Sequence, residues 1–176
     1  MALVVFMRGV NVGGHRTFRP GLLAKELAAL DVVNVGAAGT FVIRGKVGQA
    51  TLRAELARRL PFEAELMICP ARDLLKLASA EPFRNELSEV DARPYVSVLA
   101  KRLGALPRLP IRQPDDDHWQ VKVIGVSGRL VLSLHRRQRR TLVYPNEVVE
   151  NNLGVSATTR NWNTIAAVCA ILGEAA

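Results

Sequence analysis

Between Leu3 and Cys69 four short apolar runs alternate with two leucine-spaced segments, and this alternation limits the folds open to the chain. Leu3 to Val10 carries β-branched and aromatic residues and ends at a glycine-rich turn, as a strand does. Pro20 suits the first turn of a helix, where its missing N–H would lack a partner anyway. Leu22, Leu23, Leu27 and Leu30 then recur at helical spacing. Asp31 ends that helix, Val32 to Val35 predicts a second strand, Gly36 to Gly39 a turn, and Thr40 to Ile43 a third strand. Leu52, Leu56 and Leu60 mark a helix that Pro61 closes. A fourth strand, Ala64 to Cys69, meets Pro70, and a short helix is expected over Arg72 to Ala78. The order β-α-β-β-α-β is the split βαβ, or ferredoxin-like, arrangement: an antiparallel sheet with both helices on one face.

The second half reads as a repeat of that order. Tyr95 to Ala100 is a strand, and Trp119 to Val126 with Arg129 to His135 forms a hairpin around Ser127-Gly128. Glu147 to Leu153 predicts a helix stopped by Gly154, and Ser156 to Arg160 an extended piece. Trp162 to Leu172 predicts a terminal helix with Trp162, Ile165, Cys169 and Leu172 on one face. The first helix of this half is weakly marked: Lys101 to Leu106 leaves room for a turn or two before Pro107 and Pro110. The expected fold class is α+β, with duplicated ferredoxin-like (βαββαβ) units, antiparallel sheets and helices on one face. Residues 1–80 make the first unit, 81–94 a connecting segment and 95–176 the second.

With 176 residues, 49% apolar and 23% charged, the chain can bury a real core and is not disordered. Its opening apolar residues run straight into Arg8, too short for a signal segment, and nothing later approaches a membrane-spanning length. A soluble, cytoplasmic protein without membrane contact is the expectation. Cys69 and Cys169 read as buried thiols, and no Cys/His group has zinc spacing, so neither a metal nor a cofactor is expected.

Twenty-four Lys and Arg against 16 Asp and Glu leave a net charge of +8, which favours a phosphate-bearing partner. Three clusters could meet one. Gly9, Gly13 and Gly14 lie between strand and helix beside Arg8, Asn11, His15, Arg16 and Arg19, where backbone N–H groups can cradle an anion. The same glycines equally suit a tight loop that needs positive φ. In Thr158-Thr159-Arg160-Asn161-Trp162-Asn163-Thr164, Asn161 is a plausible N-cap and Arg160, Asn161 and Asn163 are candidate polar readers. Trp162 either packs in the core or offers its indole to a base or sugar. Arg136, Arg137, Arg139 and Arg140 form a basic run that is either a phosphodiester footprint or a solvated loop. Asp115-Asp116-Asp117 lacks calcium-loop spacing and reads as a hydrated loop.

No nucleophile motif, carboxylate pair or metal triad is visible. His15 is the best general acid/base candidate, followed by Glu147 and Tyr144 on position alone. The reading is a binder of nucleic acid through the basic surface and two helix N-termini, Gly9 to Arg19 joining Thr159 to Thr164 in one cleft. Its alternatives are a nucleotide or phosphometabolite binder or enzyme using the glycine loop, and a homo-oligomeric interaction protein, for instance a homodimer, without a small ligand.

At Arg8-Gly9-Val10-Asn11-Val12-Gly13-Gly14 and at Thr158 to Thr164 the chain resembles the bacterial "domain of unknown function 1697" proteins, whose hallmarks are LRGINVGG and TTRNWNT. Gly39, Glu81-Pro82-Phe83 and Tyr144-Pro145 follow the same order of landmarks. The resemblance implies the fold derived above and no established activity. Where that family usually carries Ser-Gly-Asn this chain has Ala38-Gly39-Thr40, and the usual Gly-rich stretch after Tyr144-Pro145 is replaced by Asn146-Glu147.

Overall fold

The computed structural model describes residues 1–86, 91–138, 140 and 143–173. They form two compact units, one of residues 1–78 with 166–173, the other of the described residues between Ser79 and Ile165.

The first unit runs β1 (Leu3–Arg8), α1 (Pro20–Glu26), a 3-10 turn (Ala28–Leu30), β2 (Val32–Asn34), β3 (Thr40–Ile43), α2 (Gln49–Arg59), β4 (Glu65–Pro70) and α3 (Ala71–Ser79). Its antiparallel sheet has the order β2-β3-β1-β4. Leu3, Val5 and Met7, alternate residues of β1, share one core with Leu23 and Leu27 at α1 and Leu52 and Leu56 of α2. Both helices therefore cover the same face. Val4 and Phe6 point the other way and are also fully buried, which is why β1 reads as an unbroken apolar run. In the turn from β2 to β3, Gly39 has φ +79°, and its carbonyl accepts the Met7 N–H at 2.8 Å.

The second unit contains β5 (Ala92–Leu99), β6 (Ile111–Gln113), β7 (Val121–Ser127), β8 (Leu130–Arg136), α4 (Pro145–Leu153) and β9 (Ala157–Asn161). Helix α5 (Trp162–Gly173) has its first four residues in this unit, and those from Ala166 on belong to the first. The antiparallel sheet has the order β6-β7-β8-β5-β9. It is not a full copy of the first. Residues 101–110 hold no helix, since Pro107 and Pro110 deny it both donors and room. In its place comes the edge strand β6, which the sequence reading does not anticipate. Three residues between Pro110 and Pro114 are too few for alternation to be visible.

Strand parity organises this sheet. Leu99, Val131 and Ala157 lie on one face, in a core with Val148 and Val149 of α4. No helix among the described residues is long and apolar enough to cross a membrane.

Candidate functional site

The face of the second sheet that carries α4 changes character along its length. From the Leu99 end, β5 presents Leu99, Ser97, Tyr95 and Arg93 to that side. Their cross-strand neighbours are Val131, Ser133 and His135 on β8, and Ala157, Thr159 and Asn161 on β9. Apolar packing thus gives way to a polar patch where β5 begins and β8 and β9 end.

Part of this patch is a closed hydrogen-bond chain. The Thr159 hydroxyl donates to Asn146 Oδ1 at 2.8 Å, so its 2.6 Å bond with Ser97 has Ser97 as donor. Asn146 Nδ2 donates to Glu150 Oε1 at 3.1 Å, and the same oxygen accepts the buried Ala157 N–H at 2.9 Å. The chain fastens α4 to the edge strand β9.

Two neighbouring groups stand outside that chain. Ser133 Oγ and His135 Nε2 are buried and have no partner among the described residues. The His135 ring lies 5.8 Å from that of Tyr95, edge to face, and 6.2 Å from that of Tyr144. Burial lowers the His135 pKa, Arg137 adds to the effect, and a hydrogen bond to the Val143 backbone opposes it. With Nε2 unpaired, Nδ1 is the nitrogen bonded to Val143, and the neutral ring presents Nε2 as an acceptor.

The sign of the shift sets a pH dependence. As pH falls below the ordinary value of 6.5, the unfolded chain protonates this ring before the folded one does. The stabilising contribution is therefore complete above 6.5 and is lost below it. Among the described residues, the charges and titratable rings facing His135 are Arg93, Arg137, Tyr95 and Tyr144. Thermal midpoints between about pH 7.5 and about pH 5 should fall less in His135→Gln than in the parent. Equal falls would place the acid sensitivity elsewhere.

Beside this patch an open pocket of about 420 Å³ is lined by Arg93, Pro94, Tyr95, Asn161, Trp162 and Asn163. Asn161 caps α5, its Oδ1 accepting the Thr164 N–H at 2.9 Å. Trp162 sets its ring against that of buried Phe83 at 5.2 Å and 73°, and also lines the pocket, so it packs and stays accessible. Arg160 is placed differently. It follows the opposite parity of β9, is 7% exposed, and donates to Thr158 Oγ1 and the Thr159 carbonyl at 2.7 and 3.0 Å. Burial lowers its pKa to about 10. Of the three candidate readers in this run, Asn161 and Asn163 share the pocket and Arg160 does not.

The glycine-loop residues lie in the first unit. Gly13 and Gly14, with φ of +58° and +77°, form the two-residue turn of a small hairpin closed by the His15 N–H to the Val12 carbonyl at 3.0 Å. The Asn11 N–H goes to the Arg16 carbonyl, while its side chain donates to the Ala37 carbonyl and accepts the Phe18 N–H. The N–H groups of Asn11, His15 and Phe18 are thus engaged in holding the loop. Gly9, His15, Arg16 and Arg19 are exposed, and Arg19 lines a pocket with Phe18, Leu22 and Leu60. Arg8 pairs with Glu65 across β1 and β4 at 3.8 Å.

In the basic run Arg136 stacks on Trp119, its guanidinium 3.7 Å from the ring centroid, and donates to the Asp117 carbonyl. Arg137 and Arg140 are exposed, and Arg139 lies outside the described residues. Asp116 accepts the His118 N–H at 2.7 Å in a local turn, and among the described residues no group of three His, Cys, Asp or Glu could hold a metal ion. Cys69 is buried and Cys169 half-buried.

Of the pocket's lining residues, the sequence reading names Asn161 and Asn163 as candidate readers and leaves Trp162 between core packing and ligand contact. It does not single out Arg93, Tyr95, Ser97, Ser133, His135 or Asn146, which the structure places in the pocket or the adjoining polar patch. A usable signal was present in β8, where Ser133 and His135 interrupt the apolar run at alternate positions.

Fold and site define an α+β protein with two antiparallel sheets and a polar pocket where β5 begins and α5 starts. The chain belongs to the family described as "Protein of unknown function (DUF1697)", whose model matches residues 1–126. The Thr158–Thr164 run lies beyond the matched segment. Among solved structures the chain is similar to "conserved bacterial protein SP0830 from Streptococcus pneumoniae", with 18% identity and a TM-score of 0.59, covering 97% of this chain and 98% of that one. At that identity the similarity concerns the fold alone. The sequence matches none of the curated proteins compared with it.

Proposed function

We propose that this protein binds a small phosphate-containing ligand, of the nucleotide class, in the pocket bounded by Arg93, Tyr95, Asn161, Trp162 and Asn163. The observation that carries the proposal is convergence. One guanidinium, two carboxamides and the N-terminal end of a 12-residue helix border the same pocket as a phenol ring and an indole. Guanidinium and helix N-terminus suit a phosphate, and the rings suit a base or sugar face. The volume, about 420 Å³, fits one small molecule.

The nucleic-acid reading keeps the support of the +8 net charge and of exposed Arg137 and Arg140. It loses Arg136, engaged on Trp119, and buried Arg160. We also infer a shared plan for the two sheets. With β6 set aside, the order β7-β8-β5-β9 repeats β2-β3-β1-β4, which supports a duplicated ferredoxin-like unit whose second copy has lost its first helix.

Titration with AMP, followed by tryptophan emission, tests the pocket, because the only two tryptophans are Trp162 and the buried Trp119. Arg93→Ala should weaken AMP binding roughly 10- to 100-fold, the worth of one charge-assisted hydrogen bond. Emission unchanged at millimolar AMP, together with steeply salt-dependent oligonucleotide binding that Arg93→Ala leaves intact, would favour the polymer reading.

A further inference from the structure

Behind two of the pocket's lining residues, Arg93 and Tyr95, lie polar groups that phosphate recognition leaves unused. Buried polar atoms without partners are uncommon, and here two occur at alternate positions of one strand, on one face: Ser133 Oγ and His135 Nε2. Ser133 is fully buried and His135 is 7% exposed. Both adjoin the pocket's lining residues. Tyr95 is the cross-strand neighbour of Ser133 and stacks edge to face on His135, and Arg93 is the cross-strand neighbour of His135. The His135 ring also lies 6.2 Å from that of Tyr144, which is 54% exposed.

We infer that the ligand donates a hydrogen bond to His135 Nε2, so that it is a phosphate ester which also carries a hydroxyl or amino donor. This rests on the pocket reading above. The tautomer decides the chemistry. With Nδ1–H committed to Val143, Nε2 offers a lone pair, which attracts a donor and repels an anion. Ser133, able to give or accept, completes the recognition of a hydroxyl. The phosphate lies against Arg93 and the start of α5, and the donor reaches inward past Tyr95 as the Tyr144 ring moves aside. Sugar phosphates and nucleotides share this chemistry, and inorganic phosphate lacks the ester's separate donor.

Histidine-labelled protein tests the inference directly, because the chain has three imidazoles and the other two, His15 and His118, are exposed. AMP and ribose 5-phosphate should each move the Nε2 nitrogen resonance of His135 in the direction of an accepted hydrogen bond. Inorganic phosphate should not. His135→Phe, which keeps the ring volume and removes the acceptor, should weaken AMP and ribose 5-phosphate about tenfold and leave inorganic phosphate unchanged. AMP tighter than ribose 5-phosphate would assign the rings to a base, and equal affinities would assign the site to the sugar phosphate alone. Arg93-dependent AMP binding that leaves the His135 resonance unmoved overturns the inference while the pocket reading stands. No binding by AMP or ribose 5-phosphate removes both. Should His135→Phe fail to fold, the resonance of the parent protein decides by itself.

Discussion

Gly39→Ala should destabilise the first unit by about 3 kcal/mol, and Gly36→Ala, three residues away in the same turn, by only about 1 kcal/mol. Both glycines have positive φ, +73° at Gly36 and +79° at Gly39, so both substitutions force an L-residue into the left-handed region. They differ in what a methyl group would meet. At Gly36 nothing lies within 4 Å, whereas at Gly39 the new carbon would stand 2.7 Å from Met7 Cβ and from Val10 Cγ2. Met7 and Val10 are core residues that cannot withdraw without opening the packing under α1 and α2. The Met7 N–H to Gly39 carbonyl bond would be strained by the same displacement. Thermal denaturation should show a midpoint lowered by roughly 10 °C for Gly39→Ala. Equal costs at the two positions would mean that backbone conformation alone requires the glycine.

The second large effect is expected at Glu150. Its Oε1 is the acceptor for the Ala157 N–H at 2.9 Å and for Asn146 Nδ2 at 3.1 Å, and Asn146 in turn holds Thr159 and, through it, Ser97. Glu150→Ala strands a fully buried backbone donor at the start of β9 and frees the Asn146 side chain, at a cost of about 2–3 kcal/mol. Glu150→Gln keeps an oxygen in place and should recover most of that loss. Amide exchange at Ala157 and Thr159 is the readout. It should quicken strongly in the alanine variant and weakly in the glutamine variant, with β1 and β3 unaffected. A general acceleration across both units would show that Glu150 contributes to something wider than the junction of α4 and β9.

Legibility in the sequence follows the distance over which each feature is determined. The elements of the first unit were readable because each announces itself locally: Pro20 before a leucine-spaced helix, Pro61 after another, unbroken apolar runs for β1 and β3. An antiparallel sheet was expected, which β2-β3-β1-β4 is, while its strand order had no local signal. In the second unit the hairpin β7–β8 was visible, but β6 was not, because its partner on β7 and not its own three residues makes it a strand. The pocket divides in the same way. Asn161, Trp162 and Asn163 are neighbours in the chain, whereas Arg93, Tyr95 and His135 reach them only through the β5–β9 and β5–β8 ladders. Non-local pairing of this kind leaves only an indirect trace, polar residues on the inward parity of apolar strands. Within the arginine run, Arg136 is at a strand end, where Trp119 offers a ring, and cannot be judged by charge alone.

The alternation along β9 gives the Thr158–Thr164 run a grammar of its own. Thr159 and Asn161 face the α4 side while Thr158 and Arg160 face away, so adjacent letters of the run serve opposite sides of the sheet. Exchanging one residue for another edits a single word on one side. Inserting or deleting one residue inside β9 shifts the reading frame of the whole strand: a guanidinium would be delivered to the seat of a hydroxyl, and the helix cap would turn from the pocket. Such a run is intolerant of changes in length to a degree that its tolerance of substitution does not reveal.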